Sequence, residues 1–243
     1  MSIEFKQIIL VTDGESNEGV DPVLVAKGCG FKGIPVNPIG ITDRDSEESM
    51  TEIKEIAEAS GGVWEHTDIN KLDTAMSMLS MRSVYNTLEE TVSKELKQIV
   101  GNELEDMHPN SRKKIIDLID RLGDNADIKC CVVIDCSASM KRKIDIAKSS
   151  ALNLLRVLSS RSGNTEISVI GYPYKNEDYK VLCDFTNNII DLEKGLQAIK
   201  IGGKTPTGMA LKGAISLLEG EVLLEDEDII GKFEDGILSE NVI

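Results

Sequence analysis

The run Val132-Val133-Ile134-Asp135-Cys136-Ser137-Ala138-Ser139-Met140 constrains this chain more than any other. An apolar, β-branched run stops at an aspartate, and two hydroxyls follow at two-residue spacing. A run with no polar break is what a strand covered on both faces requires. From Lys143 to Arg161 the chain reads as a helix, with Ile144, Ala147, Ala151, Leu155 and Leu158 keeping about the 3.6-residue period of one buried face. The product is a strand, a tight loop and a helix, with one carboxylate and two alcohols bunched where the strand stops. Nothing in the cluster can act as a base toward a serine. Its oxygens suit a hard cation such as Mg²⁺, which takes few protein ligands and keeps several waters.

Two more segments carry matching chemistry. Ile8-Ile9-Leu10-Val11-Thr12-Asp13-Gly14 is a second apolar strand ending in an aspartate. Gly202-Gly203-Lys204-Thr205-Pro206-Thr207-Gly208 is a loop that opens the helix beginning Met209-Ala210-Leu211. Together the three segments resemble the metal-ion-dependent adhesion site of von Willebrand factor A (vWA) domains, which joins Asp-x-Ser-x-Ser, a threonine loop and a Thr-Asp-Gly strand end. The resemblance implies an α/β, Rossmann-like fold: a mostly parallel central sheet, helices on both faces and one antiparallel edge strand. It implies that Ser137 and Ser139 bind the ion directly, and Thr205 directly or through water. Asp135 and Asp13 would act largely through waters and hydrogen bonds to the hydroxyls. One coordination position would stay open for the acidic side chain of a partner protein. Neutral hydroxyls leave an ion's charge unquenched, so it still attracts an anion. The implied ion is Mg²⁺, with Mn²⁺ as an alternative. The plain alternative is that these hydroxyls only cap helices, as Ser and Thr often do.

The order of the segments departs from that family. There the Asp-x-Ser-x-Ser strand comes first, the threonine loop next and the Thr-Asp-Gly strand afterwards; here Thr-Asp-Gly stands at the start. The arrangement reads as a circular permutation and resembles the YabS-like vWA proteins of endospore-forming bacteria. Residues 1–84 then correspond to the C-terminal half of a vWA domain and 126–218 to its N-terminal half. Residues 85–125 form a helical hairpin connector and 219–243 an acidic tail. A single chain closing on itself is expected over an exchanged dimer, since both rearranged joints fall at the end of the sheet away from the metal loops.

Composition narrows the partners. The net charge of −15 and pI near 4.6 argue against nucleic acid, which needs a basic footprint. No run is apolar enough to span a bilayer, and Met1–Lys6 lacks the regions of a signal peptide, so a cytoplasmic protein is expected. The five cysteines show no metal-type spacing and read as buried small hydrophobes. His66 and His108 are isolated and lack the partners of a zinc site.

Smaller features carry expectations of their own. Asp21-Pro22 opens a helix that Gly28-Cys29-Gly30 is expected to stop. Pro35 and Pro38 point to a strand near a sheet edge. One helix is expected over Ile69–Val84, then a stripe from Leu88 to Leu104 and a helix from about Ser111 to Leu122. Lys141-Arg142-Lys143 opposes the dipole of a helix's first turn, which suggests steering of an acidic partner, although a solvated basic turn fits equally. In the tail, Ile229, Phe233 and Ile237 suit a short amphipathic helix, while its charge density favours disorder.

The function expected is a non-enzymatic, metal-dependent protein-interaction module in a sporulation-related setting. The alternatives are a Mg²⁺-dependent phosphatase with Asp135 as nucleophile and a metal-free scaffold. A phosphatase of that type commonly places a second acid two residues on, where this chain has Ser137. Gly203-Lys204-Thr205 also lacks the upstream glycine spacing of a phosphate-binding loop.

Overall fold

The two apolar runs that end in aspartate lie side by side at the centre of one sheet. A computed structural model describes residues 3–14, 16–41, 47–101 and 107–220. In it β1 (Glu4–Thr12) and β4 (Asp127–Asp135) pair in parallel, from Glu4 opposite Asp127 to Val11 opposite Ile134. Beyond β1 lie β2 (Val36–Ile41) and the three-residue β3 (Glu65–Thr67). Beyond β4 lie β5 (Thr165–Tyr172) and β6 (Lys180–Thr186). All pairs are parallel except β5 with β6, which gives the expected antiparallel edge.

Side chains alternate between two cores, as the pleat requires. Ile9, Val11, Cys130, Val132 and Ile134 point to one face. That face is covered by α3 (Leu72–Val100), α5 (Ile144–Leu158) and α6 (Ile189–Gln197). Ile8, Leu10, Cys131 and Val133 point to the other, under α1 (Pro22–Phe31), α2 (Glu47–Ser60) and α7 (Thr207–Glu219). Cys29, Cys130, Cys131 and Cys136 are buried free thiols, and burial pushes Cys29, Cys131 and Cys136 up to about 12. They stay protonated and pack as small hydrophobes.

Several helix ends differ from the sequence expectation. α1 runs through Gly28 and Gly30 rather than stopping there. A Cβ on Gly30 would lie 3.0 Å from the Ala59 carbonyl oxygen, so this glycine lets α1 approach α2 closely. The chain leaves α1 at Lys32 and Gly33, the latter at φ +68°. Likewise α3 does not end near Val84. It is one helix of 29 residues, because neither glycine nor proline interrupts it before Gly101 at φ +74°. The second connector helix, α4 (Pro109–Asn125), starts earlier than Ser111, with His108 at its N-cap and proline at its first turn. Gly123 lies inside α4, where a Cβ would stand 3.0 Å from the Tyr85 ring on α3. β2 lies near the edge as expected, one strand in beside the three-residue β3, and the ladder to β3 begins only at Ile39. Pro38 therefore meets no strand on that side. The acidic tail beyond Gly220 lies outside the described residues.

Polar groups tie the segments together where burial would otherwise leave them costly. Asn37 donates to the Gln7 Oε1 at 3.0 Å, and Gln7 donates to Ser80 Oγ at 2.6 Å, linking β2, β1 and α3. Arg161 donates to the carbonyls of Gly123 at 2.6 Å and Ala126 at 2.9 Å, which fastens the end of α4 to the turn after α5. Arg161→Ala would free both carbonyls and is expected to cost about 1–3 kcal/mol, read as a lower midpoint in urea with an unchanged m-value. Among the described residues no helix is long and apolar enough to cross a membrane.

Candidate metal centre

Ligands in an open parallel sheet gather at the carboxyl ends of its strands, and both aspartates stand there. Asp135 closes β4 and is fully buried. Its Oδ1 accepts from the Ser137 backbone N–H at 2.8 Å, and its Oδ2 from the Thr12 hydroxyl at 2.9 Å. Desolvation pushes its carboxyl up to about 6, against the opposing pull of hydrogen bonds from Ser137 and Thr12; the nearby Asp13 charge adds to the rise. No lysine, arginine or histidine among the described residues pairs with it.

A short 3₁₀ turn, Ala138–Arg142, follows Ser137 and carries Ser139 outward. Ser137 Oγ and Ser139 Oγ are 2.9 Å apart. Ser139 donates to Asp13 Oδ1 at 2.7 Å, across 126 residues of sequence. Asp135, Ser137, Ser139 and Asp13 thus form one continuous set of oxygens. Ser137 is buried and Ser139 exposed, so the set opens to solvent on one side.

The threonine loop is docked onto this set from both neighbours. Gly202 N–H donates to the Cys136 carbonyl at 2.9 Å. Thr205 N–H donates to Asn17 Oδ1 at 2.8 Å, while its carbonyl accepts from Asn17 N–H at 3.2 Å and Ser16 Oγ at 3.1 Å. Thr205 is itself buried. Pro206 stands at the N-cap of α7. Gly208 follows, and a Cβ there would lie 2.0 Å from the Val20 carbonyl oxygen. The segment after the Thr-Asp-Gly strand end and the threonine helix therefore pack backbone to backbone with no room to spare.

All five residues singled out from sequence lie on these three loops. Thr12, Ser16, Asn17 and Lys143 also belong to the site and were not picked out as site residues. Thr12 had a signal in the Thr-Asp-Gly motif. Lys143 was expected either to steer a partner or to stand in solvent; instead its Nζ lies 3.0 Å from Asp13 Oδ2 and 3.2 Å from the Ile41 carbonyl oxygen. Lys141 and Arg142 remain exposed, but in the 3₁₀ turn and not in the first turn of α5, which starts at Ile144. Neither cation therefore opposes the dipole of α5.

The donor set fits a hard divalent ion. It offers hydroxyl and carboxylate oxygens, and it includes a buried carboxylate with no cation of the described residues against it. Softer metals prefer nitrogen or sulfur, and among the described residues no group of three or more His, Cys, Asp or Glu could hold one. Ser137, Ser139 and Thr205 are the residues that would hold the ion, with Asp135 and Asp13 holding the two serines.

The von Willebrand factor type A domain model matches residues 130–230. Over 212 residues the chain is 34% identical to the uncharacterized protein YabS of Bacillus subtilis (strain 168), covering 86% of each. The chain belongs to the YabS-like vWA family. A crystal structure of an uncharacterized protein from Alicyclobacillus acidocaldarius is similar to this vWA chain, with a TM-score of 0.82 and 32% identity over 89% of this chain and 95% of that one. The family model spans most of β4, the site loop and everything from there through α7; the YabS-like vWA chain supplies β1 and Asp13 from well outside that region.

Proposed function

We propose that this chain is a metal-ion-dependent protein-interaction module whose Mg²⁺ or Mn²⁺ is bridged by a carboxylate of a partner protein. The observation that carries this reading is the convergence of Asp13, Ser139, Ser137 and Asp135 into one hydrogen-bonded set with a solvent-facing side. A divalent ion bound there would supply uncancelled positive charge, which draws in an anionic side chain. The protein's part is to hold three neutral hydroxyls still. Asp135 accepts from the Ser137 backbone N–H, Asp13 fixes Ser139, and Asn17 with Ser16 fixes the backbone of Thr205.

Binding without catalysis is supported by the state of Asp135. A nucleophilic carboxylate needs a free oxygen facing substrate, whereas both oxygens here accept hydrogen bonds and the side chain is fully buried. We further read the chain as a circular permutation that closes as a monomer in the cytoplasm. The pairing of β1 with β4 supports the closure within one chain, although 114 residues lie between Thr12 and Asp127. A sporulation-related setting rests on the resemblance to YabS alone.

The test is capture of partners from cells of the source organism by wild type and by Ser137→Ala/Ser139→Ala, each with Mg²⁺ and with chelator. Wild type with Mg²⁺ should retain proteins that all three other arms lose. The same set retained in chelator would overturn metal-bridged binding.

A further inference from the structure

A cation of the protein already sits against the candidate ion site. The Lys143 ammonium lies 3.0 Å from Asp13 Oδ2 and 3.2 Å from the Ile41 carbonyl oxygen. The two side chains are only 12% and 1% exposed, so solvent screens the pair weakly. Lys143 immediately precedes α5, Asp13 follows β1 and Ile41 ends β2; the ammonium joins three strand and helix ends at once. Both oxygens of Asp13 are thereby committed, Oδ1 to the Ser139 hydroxyl and Oδ2 to Lys143. A carboxylate neutralised in this way has little charge left to lend to a neighbouring ion.

We propose that Lys143 is a positioning residue that turns Asp13 toward Ser139 and withholds its charge from the ion. The ion then keeps the positive charge that a partner's carboxylate answers, at the expense of its own affinity for the protein. This rests on the metal-centre reading above. Removing the ammonium would free Asp13 Oδ2 to approach the ion directly or through water, so the metal should bind more tightly when Lys143 is lost. A lysine that only ties loops together predicts the opposite sign.

The test is calorimetric titration of Mn²⁺ alone into the full chain as wild type, Lys143→Gln, Lys143→Arg, Asp13→Asn and the Asp13→Asn/Lys143→Gln double variant, each first shown to be folded by circular dichroism. Lys143→Gln should bind Mn²⁺ about tenfold more tightly, the order expected when one charge-assisted hydrogen bond no longer competes. Lys143→Arg should stay within about threefold of wild type, since it keeps the charge. The tightening should vanish in the Asp13→Asn background, where no second carboxylate remains to be released. Equal tightening in both backgrounds would mean that Lys143 merely repels the ion; no tightening in either would mean that it is merely structural. Both results overturn the proposal while leaving the metal centre in place. Wild type that binds no Mn²⁺ would remove the metal centre and this role with it. Should Lys143→Gln fail to fold, Lys143→Met carries the same expectations.

Discussion

Asp135→Asn is expected to stabilise the metal-free protein at neutral pH and to end its stabilisation by divalent ions. Burial raises the folded-state carboxyl to about 6, above the roughly 3.9 of an unfolded aspartate. The folded chain therefore holds a proton over a pH range in which the unfolded chain has released it. The stability that Asp135 contributes is whole below about pH 4 and is lost as pH rises through 6. Above that, the ionised side chain costs the fold roughly 2–3 kcal/mol. Asparagine carries no charge and can keep both hydrogen bonds. Its oxygen can accept from the Ser137 N–H, and its amide can donate to the Thr12 hydroxyl, which is also 3.0 Å from the Gly14 carbonyl as an alternative acceptor. Thermal melts in chelator should show the variant about 1–3 kcal/mol more stable at pH 7.5, with the difference closing toward pH 4. Adding Mg²⁺ should raise the wild-type midpoint and leave the variant unmoved. A variant less stable than wild type at every pH would contradict this account of the buried charge. The gain would be a functional site kept at a cost in stability.

The second large effect concerns the first strand. A fragment of residues 126–243 contains everything that the family model matches, yet it is expected not to fold. Without β1, the central strand β4 loses its ladder from Asp127 to Ile134 on one edge. Ile8, Ile9, Leu10 and Val11, all 0% exposed, would be missing from both cores. Removing four such side chains forfeits on the order of 8 kcal/mol or more of apolar burial, comparable to the whole stability of an ordinary domain. The threonine loop would also lose Asn17 and Ser16 from its backbone. The fragment should give no cooperative melt and should aggregate through the bare edge of β4. A soluble, cooperatively melting fragment would show that the two parts of the chain are independent.

Much of this arrangement was legible because its signals are local. A β-branched run that ends in an aspartate marks both a central strand and a site residue, and the spacing Asp135, Ser137, Ser139 puts three oxygens on one loop. What was not legible depends on distant contacts. Gly28 and Gly30 look like stops in isolation; only the approach of α1 to α2 makes the second a packing residue. Gly123 likewise makes sense only against the Tyr85 ring. Lys143 reads as one of three outward charges, steering or merely solvated, and its inward turn is dictated by Asp13 and Ile41, each over a hundred residues away in sequence. Asn17 has no local pattern that would announce its bonds to Thr205.

The most direct measurement is anomalous diffraction from crystals grown with Mn²⁺. One manganese peak per chain is expected, bounded by the hydroxyl oxygens of Ser137, Ser139 and Thr205, with Asp13 and Asp135 of the same chain behind them. Crystals soaked in millimolar Mn²⁺ that show no peak there, or a peak only elsewhere on the surface, would contradict it.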